Sequence, residues 1–124
     1  MSKKLLLAAA ATLSLIPAAW AGSVMQAKTM IGYVLTDEKG MTLYTFDKEE
    51  MGKIVCTDAC AQNWPPMAAS MMDKAAGDYG IIKRPDGSMQ WTYKGKALYH
   101  WGKDMKAGDT MGEGFKDMWH VARP

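Results

Sequence analysis

Two histidines and a run of thioethers are the side chains best suited to bind something. His100, Met105, Met111, Met118 and His120 all fall in the last third of a chain of 124 residues. Thioether sulfur is a soft ligand that selects Cu(I), and imidazole also suits copper. Gathered by a fold, these residues are the candidate ligands of a copper or other soft-metal site. The competing role for methionine is gap filling in a small core. Met51, Met71, Met72 and Met105 sit in polar surroundings, where surface thioethers consume oxidants instead. His100 shares strand parity with Leu98, which predicts a half-buried histidine satisfied by hydrogen bonds.

Cysteine chemistry is limited to Cys56 and Cys60. Their i, i+4 spacing is one helical turn, within reach of a disulfide. The spacing is not the Cys-x-x-Cys of redox folds, and no βαβ pattern surrounds it. A structural disulfide is the expectation. A redox pair and half of a metal site are the alternatives.

Catalysis finds little material. After the N-terminal segment the serines are Ser23, Ser70 and Ser88, with no Gly-x-Ser-x-Gly among them. Glu49 and Asp104 are the candidate acid–base pair. Each follows an aromatic strand end by three positions, where a carboxylate also accepts turn N–H groups. Gly108, Gly112 and Gly114 form a glycine-rich loop, but no Lys-Ser/Thr follows to make a phosphate cradle. No Cys-x-x-Cys-His is present for covalent haem. The chain reads as a non-enzyme.

These side chains sit on a repeat. Lys39-Gly40-Met41-Thr42-Leu43-Tyr44-Thr45-Phe46 matches Lys94-Gly95-Lys96-Ala97-Leu98-Tyr99-His100-Trp101 at an offset of 55 residues. At the same offset Glu49 matches Asp104 and Trp64 matches Trp119. The units span about 32–66 and 88–121. Each reads as a hairpin, because β-branched and aromatic residues flank a glycine bend. The first runs from Gly32–Thr36 through Asp37–Gly40 into Met41–Phe46. The second runs from Met89–Tyr93 through Lys94-Gly95 into Ala97–Trp101. A register pairing Trp91 with Tyr99 makes a continuous aromatic face; a slip of one residue puts Trp91 against His100. Such a face either fills the core or binds a flat apolar ligand.

Between the hairpins, Thr57–Asn63 predicts one or two helical turns ended by Trp64-Pro65-Pro66. Ala68–Ala76 predicts a second short helix stopped by Gly77. Met25–Met30 reads as a lead-in or an edge strand. The fold class is therefore mainly β, a β-rich α+β arrangement of two pseudo-repeated hairpin units with one or two short helices between them.

The N-terminus places this domain. Lys3-Lys4, the apolar run Leu5–Ile16, Pro17 and Ala19-Trp20-Ala21 follow the order of a secretory signal. The run is shorter than the roughly 20 residues of a spanning helix. Cleavage after Ala21 leaves residues 22–124 as one domain, with no integral membrane segment. The signal takes two of the 15 basic residues and none of the 13 acidic ones, so the exported part is formally neutral. Neutrality and export both argue against nucleic acid as partner. A periplasmic or secreted address also favours the disulfide.

The doubled Tyr-x-aromatic-x-x-acid pattern resembles a bacterial family of secreted or lipoprotein repeats described by the motif Yx(FWY)xxD. Tyr99, Trp101 and Asp104 fit it fully; Tyr44 and Phe46 fit, and Glu49 replaces Asp. Cys56, Cys60, Trp64-Pro65-Pro66, Asp86-Gly87, Gly108-Asp109 and Trp119 extend the likeness over most of the exported chain. No cysteine for lipidation is present near the cleavage point. The resemblance implies no settled activity. With little material for catalysis, the residues themselves favour a non-catalytic exported binding or accessory protein of unknown ligand; the resemblance adds, through some relatives, an accessory role in alkane breakdown that no residue here supports.

Overall fold

The computed structural model describes residues 23–124. The export signal expected at 1–21 lies outside them. The elements are β1 (Met25–Thr29), β2 (Gly32–Thr36), β3 (Tyr44–Phe46), α1 (Ala59–Asn63), β4 (Tyr79–Lys83), β5 (Met89–Tyr93), β6 (Lys96–Ala97), a 3-10 turn (Phe115–Asp117) and β7 (Trp119–Val121). All the strand pairs are antiparallel: β1 with β2, β3 with β7, and β4–β5–β6 in order. The strand-dominated class expected from the sequence is what forms.

The two units meet about a local dyad at Tyr44 and Tyr99. The Tyr44 N–H donates to the Tyr99 carbonyl at 2.7 Å, and the Tyr99 N–H returns the bond to Tyr44 at 2.9 Å. Around this pair the contacts repeat at the sequence offset. Tyr44 bridges Val121 and Tyr99 bridges Pro66. The Asp47 N–H donates to Met118 at 2.8 Å, and the Gly102 N–H to Asn63 at 2.9 Å.

These contacts reveal a strand exchange. Residues 64–68 close the first unit in sequence but pair with the second: Met67 donates to the Leu98 carbonyl at 2.9 Å and receives the Trp91 N–H at 2.9 Å. β7 closes the second unit and pairs with the first: Ala122 donates to Leu43 at 2.8 Å and receives the Leu35 N–H at 2.8 Å. Each unit thus completes the other's sheet and hides an edge that would otherwise be open.

Strand alternation then makes two cores. Leu43 and Leu98 point one way, into a cluster with Val24, Leu35, Met67, Trp91 and Ala122. Tyr44 and Tyr99 point the other way, into a cluster with Val34, Cys56, Trp64, Ala97, Trp101, Trp119 and Val121. The two leucines and the two tyrosines are all fully buried, so the central strands are covered on both faces.

Two expectations need correction. The Lys94-Gly95 loop has positive φ at both positions, 50° and 85°, the geometry of a two-residue hairpin turn. It pairs Tyr93 with Lys96 and Thr92 with Ala97. Trp91 therefore lies opposite Leu98, whose N–H donates to the Trp91 carbonyl at 3.0 Å. Neither the Tyr99 nor the His100 register occurs, and Trp91 and Tyr99 belong to different cores. The helix expected over Ala68–Ala76 does not form either. That stretch buries no face, and helices this short depend on packing. Instead Asp73 Oδ2 accepts the Ser70 N–H at 2.8 Å and the Ser70 hydroxyl accepts the Met72 N–H at 3.2 Å, closing a local turn. The expected turns after Thr57 do form, as α1, ended at Trp64. At the repeat offset their counterpart is the 3-10 turn.

Candidate functional site

The motif residues form two crossed hydrogen-bonding centres. Tyr44 Oη donates to Asp104 Oδ2 at 2.6 Å, and Tyr99 Oη donates to Glu49 Oε2 at 2.5 Å. Each tyrosine thus reaches the acid of the other unit. The acids also cap backbone turns. Asp104 Oδ1 accepts the Met111 N–H at 2.9 Å, while Glu49 Oε2 accepts those of Val55 and Cys56 at 2.8 and 2.9 Å. Asp104 divides the two tasks between its oxygens. The longer Glu49 side chain performs both with one, leaving Oε1 buried without a partner. Burial and the carboxylate partner raise both phenols well above their usual range. The repeat motif residues Tyr44, Phe46, Glu49, Tyr99, Trp101 and Asp104 are thereby placed together, and turn capping by the acids is what the structure shows.

The aromatic motif positions build a column across the dyad. Phe46 stacks on Trp119 at 4.2 Å, Trp119 on Trp64 at 3.8 Å, and Trp64 on Trp101 at 4.1 Å between ring centroids. Tyr44 meets Trp64 edge-on at 5.4 Å, and Tyr99 meets Trp119 at 5.2 Å. Trp64, Trp101 and Trp119 are all under a tenth exposed, so the column is packing rather than an open ligand face. Gly112 explains part of the glycine-rich loop. Its N–H donates to Tyr44 Oη at 3.1 Å, and a Cβ there would lie 2.9 Å from the Trp64 ring.

Cys56 and Cys60 are joined, with Cα atoms 5.1 Å apart. Beside their loop lies a cleft of about 630 Å³, lined by Thr57, Asp58, Pro66, Arg84, Asp86 and Ser88 among others. Arg84 is 6 % exposed. Its guanidinium donates to Gln90 Oε1 at 2.6 Å and to the Cys56 carbonyl at 2.7 Å, both neutral acceptors. Sequence reading had no means of finding Arg84, because nothing local distinguishes a buried arginine from a surface one.

The proposed metal ligands are held separately. His100 Nε2 lies 3.0 Å from Asp37 Oδ2, and the ring is half-buried. His120 sits between Glu113 Oε2 and Asp47 Oδ2, each at 3.0 Å. Its hydrogen bond to Glu113, with the Asp47 charge, raises its pKa. Glu113 is pushed up by burial, but the Val121 N–H and His120 bring it below its usual value. Met105 and Met111 are exposed, and Met118 is partly buried beside the aromatic column. Among the described residues, no group of three or more His, Cys, Asp or Glu is arranged to hold a metal ion.

A strand-exchanged, disulfide-bearing pair of β-units with crossed tyrosine–carboxylate centres defines the class as an internally duplicated repeat protein. The family described as a secreted repeat of unknown function matches residues 25–68 and 80–123. The chain belongs to that family, and its address is secreted or periplasmic. The matched segments include β1 and β4, so each unit carries one more strand than the hairpins read from the sequence. No curated protein and no solved structure matches the chain. No helix among the described residues is long and apolar enough to cross a membrane.

Proposed function

We propose that the chain is a non-catalytic periplasmic binding protein, cleaved after Ala21, whose ligand seat is the cleft over Arg84. The carrying observation is a buried guanidinium with neutral direct partners beside an open cavity. Buried charge is costly unless it is compensated. Both direct acceptors of Arg84 are neutral, so neither supplies a countercharge. The cleft therefore suits a small polar molecule with a carboxylate-like group, for which arginine offers planar donors. Asp58 and Asp86, exposed at the rim, oppose polyanions such as nucleic acid. The candidate acid–base pair, Glu49 and Asp104, is committed to the motif tyrosines and to backbone turns.

Titration of the labelled protein with acetate, succinate and glycine, read by amide chemical shifts, tests this reading. Saturable shifts at Thr57, Asp58 and Ser88, weakened in Arg84→Lys and blocked in Ser88→Trp, support it. No shift there at millimolar concentration of any probe would sink it. A second reading, Cu(I) binding by thioethers, draws on Met105 and Met111, both exposed on one loop. Absence of Cu(I) binding tighter than micromolar removes that reading.

A further inference from the structure

Methionine and leucine occupy opposite places in this protein. Leu35, Leu43 and Leu98 are each 0 % exposed. Among the described residues seven methionines are exposed: Met25, Met30, Met51, Met71, Met72, Met105 and Met111, from 45 % to 103 %. Both residue types ordinarily rank among the most buried. Used simply as hydrophobes, the two would divide between core and surface alike. Among the described residues the core has taken every leucine, and of the methionines Met67 alone is fully inside. The exposed thioethers stand on separate segments: the edge strand β1, the β1–β2 turn, the loop after β3, the turn after Ser70 and the loop around Asp109. They do not form one apolar patch of the kind a partner covers. Neither cysteine offers a thiol, since both are in the disulfide. The accessible oxidisable sulfur is therefore all thioether.

We propose that these methionines are modification sites for two-electron, oxygen-donating oxidants of the hypohalous acid class, so that the surface acts as a sacrificial oxidant sink. Thioether sulfur attacks the oxidant's oxygen; an S–O bond forms and the O–halogen bond breaks. Halide leaves and the hydroxyl proton passes to water. Sulfur loses two electrons and the halogen gains them, giving methionine sulfoxide. Sulfoxide is polar and disrupts cores. On exposed loops it meets water, so the fold tolerates the product. Met67 is 5 % exposed and packs with Leu35, Leu43 and Trp91, where oxidation would disrupt the leucine core. Sulfoxide reductases reverse the reaction, which makes the sink renewable.

The test is a hypochlorite titration of the exported protein, followed by peptide mapping and by denaturation midpoint. The seven exposed methionines should each take one oxygen before Met67 or the tryptophans react, with the midpoint held. A variant carrying M30Q, M71Q, M72Q and M105Q alters only exposed side chains. With a methionine-dependent reporter enzyme in the same tube, the parent should spare the reporter for about four more equivalents of oxidant than the variant. Equal protection by parent and variant would overturn the proposal. So would oxidation of Met67, or loss of the fold, before the exposed sites are filled.

Discussion

Removing one hydroxyl from each crossed centre should give unequal losses. In Tyr44→Phe, Asp104 loses a 2.6 Å donor and the Gly112 N–H loses its acceptor. A hydrogen bond to a charged group contributes about 1.5–3 kcal/mol, and a stranded buried donor costs about 1–3 kcal/mol. The expected loss is about 2.5–6 kcal/mol from the two terms together. In Tyr99→Phe only the bond to Glu49 goes, because Glu49 keeps the Val55 and Cys56 N–H groups and Arg84 and Gln90 donate elsewhere. That loss is about 1.5–3 kcal/mol. Urea unfolding near neutral pH, where both phenols are protonated, is the assay. With a slope of about 1–3 kcal/mol/M, the two variants should differ in midpoint by roughly 1 M. A cycle of Tyr44→Phe with Asp104→Asn should return a coupling of about 0.5–3 kcal/mol, while Tyr44→Phe with Glu49→Gln should be nearer additive. Equal losses for the two phenylalanine variants, or stronger coupling of Tyr44 to Glu49, would refute the crossed assignment.

Gly112→Ala should drive a methyl into Trp64 and Tyr44 and cost about 1–3 kcal/mol by overpacking, measured as a fall in Tm. Reducing Cys56–Cys60 opens a loop closed across four positions, so thermal scans should show a loss of at most about 2 kcal/mol with the fold retained. His120 has a raised pKa in the folded state, so its contribution is complete below about 6.5, the unfolded value, and fades as pH rises through the folded one. Unfolding midpoints should fall from pH 6 to pH 9, and His120→Gln should lessen that fall; the pair is exposed, so the effect is modest and salt-sensitive. A fragment ending at Gly77 lacks β7 and Tyr99, the partners of β3 and Glu49; far-UV circular dichroism should show it unfolded, or ultracentrifugation should show a dimer exchanging the same strands.

The duplication, the hairpins, the place of the turn at Lys94-Gly95 and the disulfide loop were legible because each is written locally, in spacing and turn residues; the register of the second hairpin was not, and both expected pairings of Trp91 failed. Capping by Glu49 and Asp104 was legible for the same reason. The Ala68–Ala76 helix failed because propensity without a buried face is overruled by side-chain turns. Arg84 stayed hidden because its burial depends on Gln90 and the Cys56 carbonyl, residues distant in sequence.

The amino-acid order alone determined that there are two like units, each with a tyrosine, an aromatic residue and an acid at fixed spacing. It could not determine which tyrosine meets which acid. Because the units match, pairing within a unit and pairing across units satisfy the same local pattern. Only the tertiary structure breaks that degeneracy. The short turns fix each hairpin's register, the strands after Trp64 and Trp119 cross to the opposite unit, and the dyad bonds between Tyr44 and Tyr99 place each hydroxyl over the other unit's carboxylate.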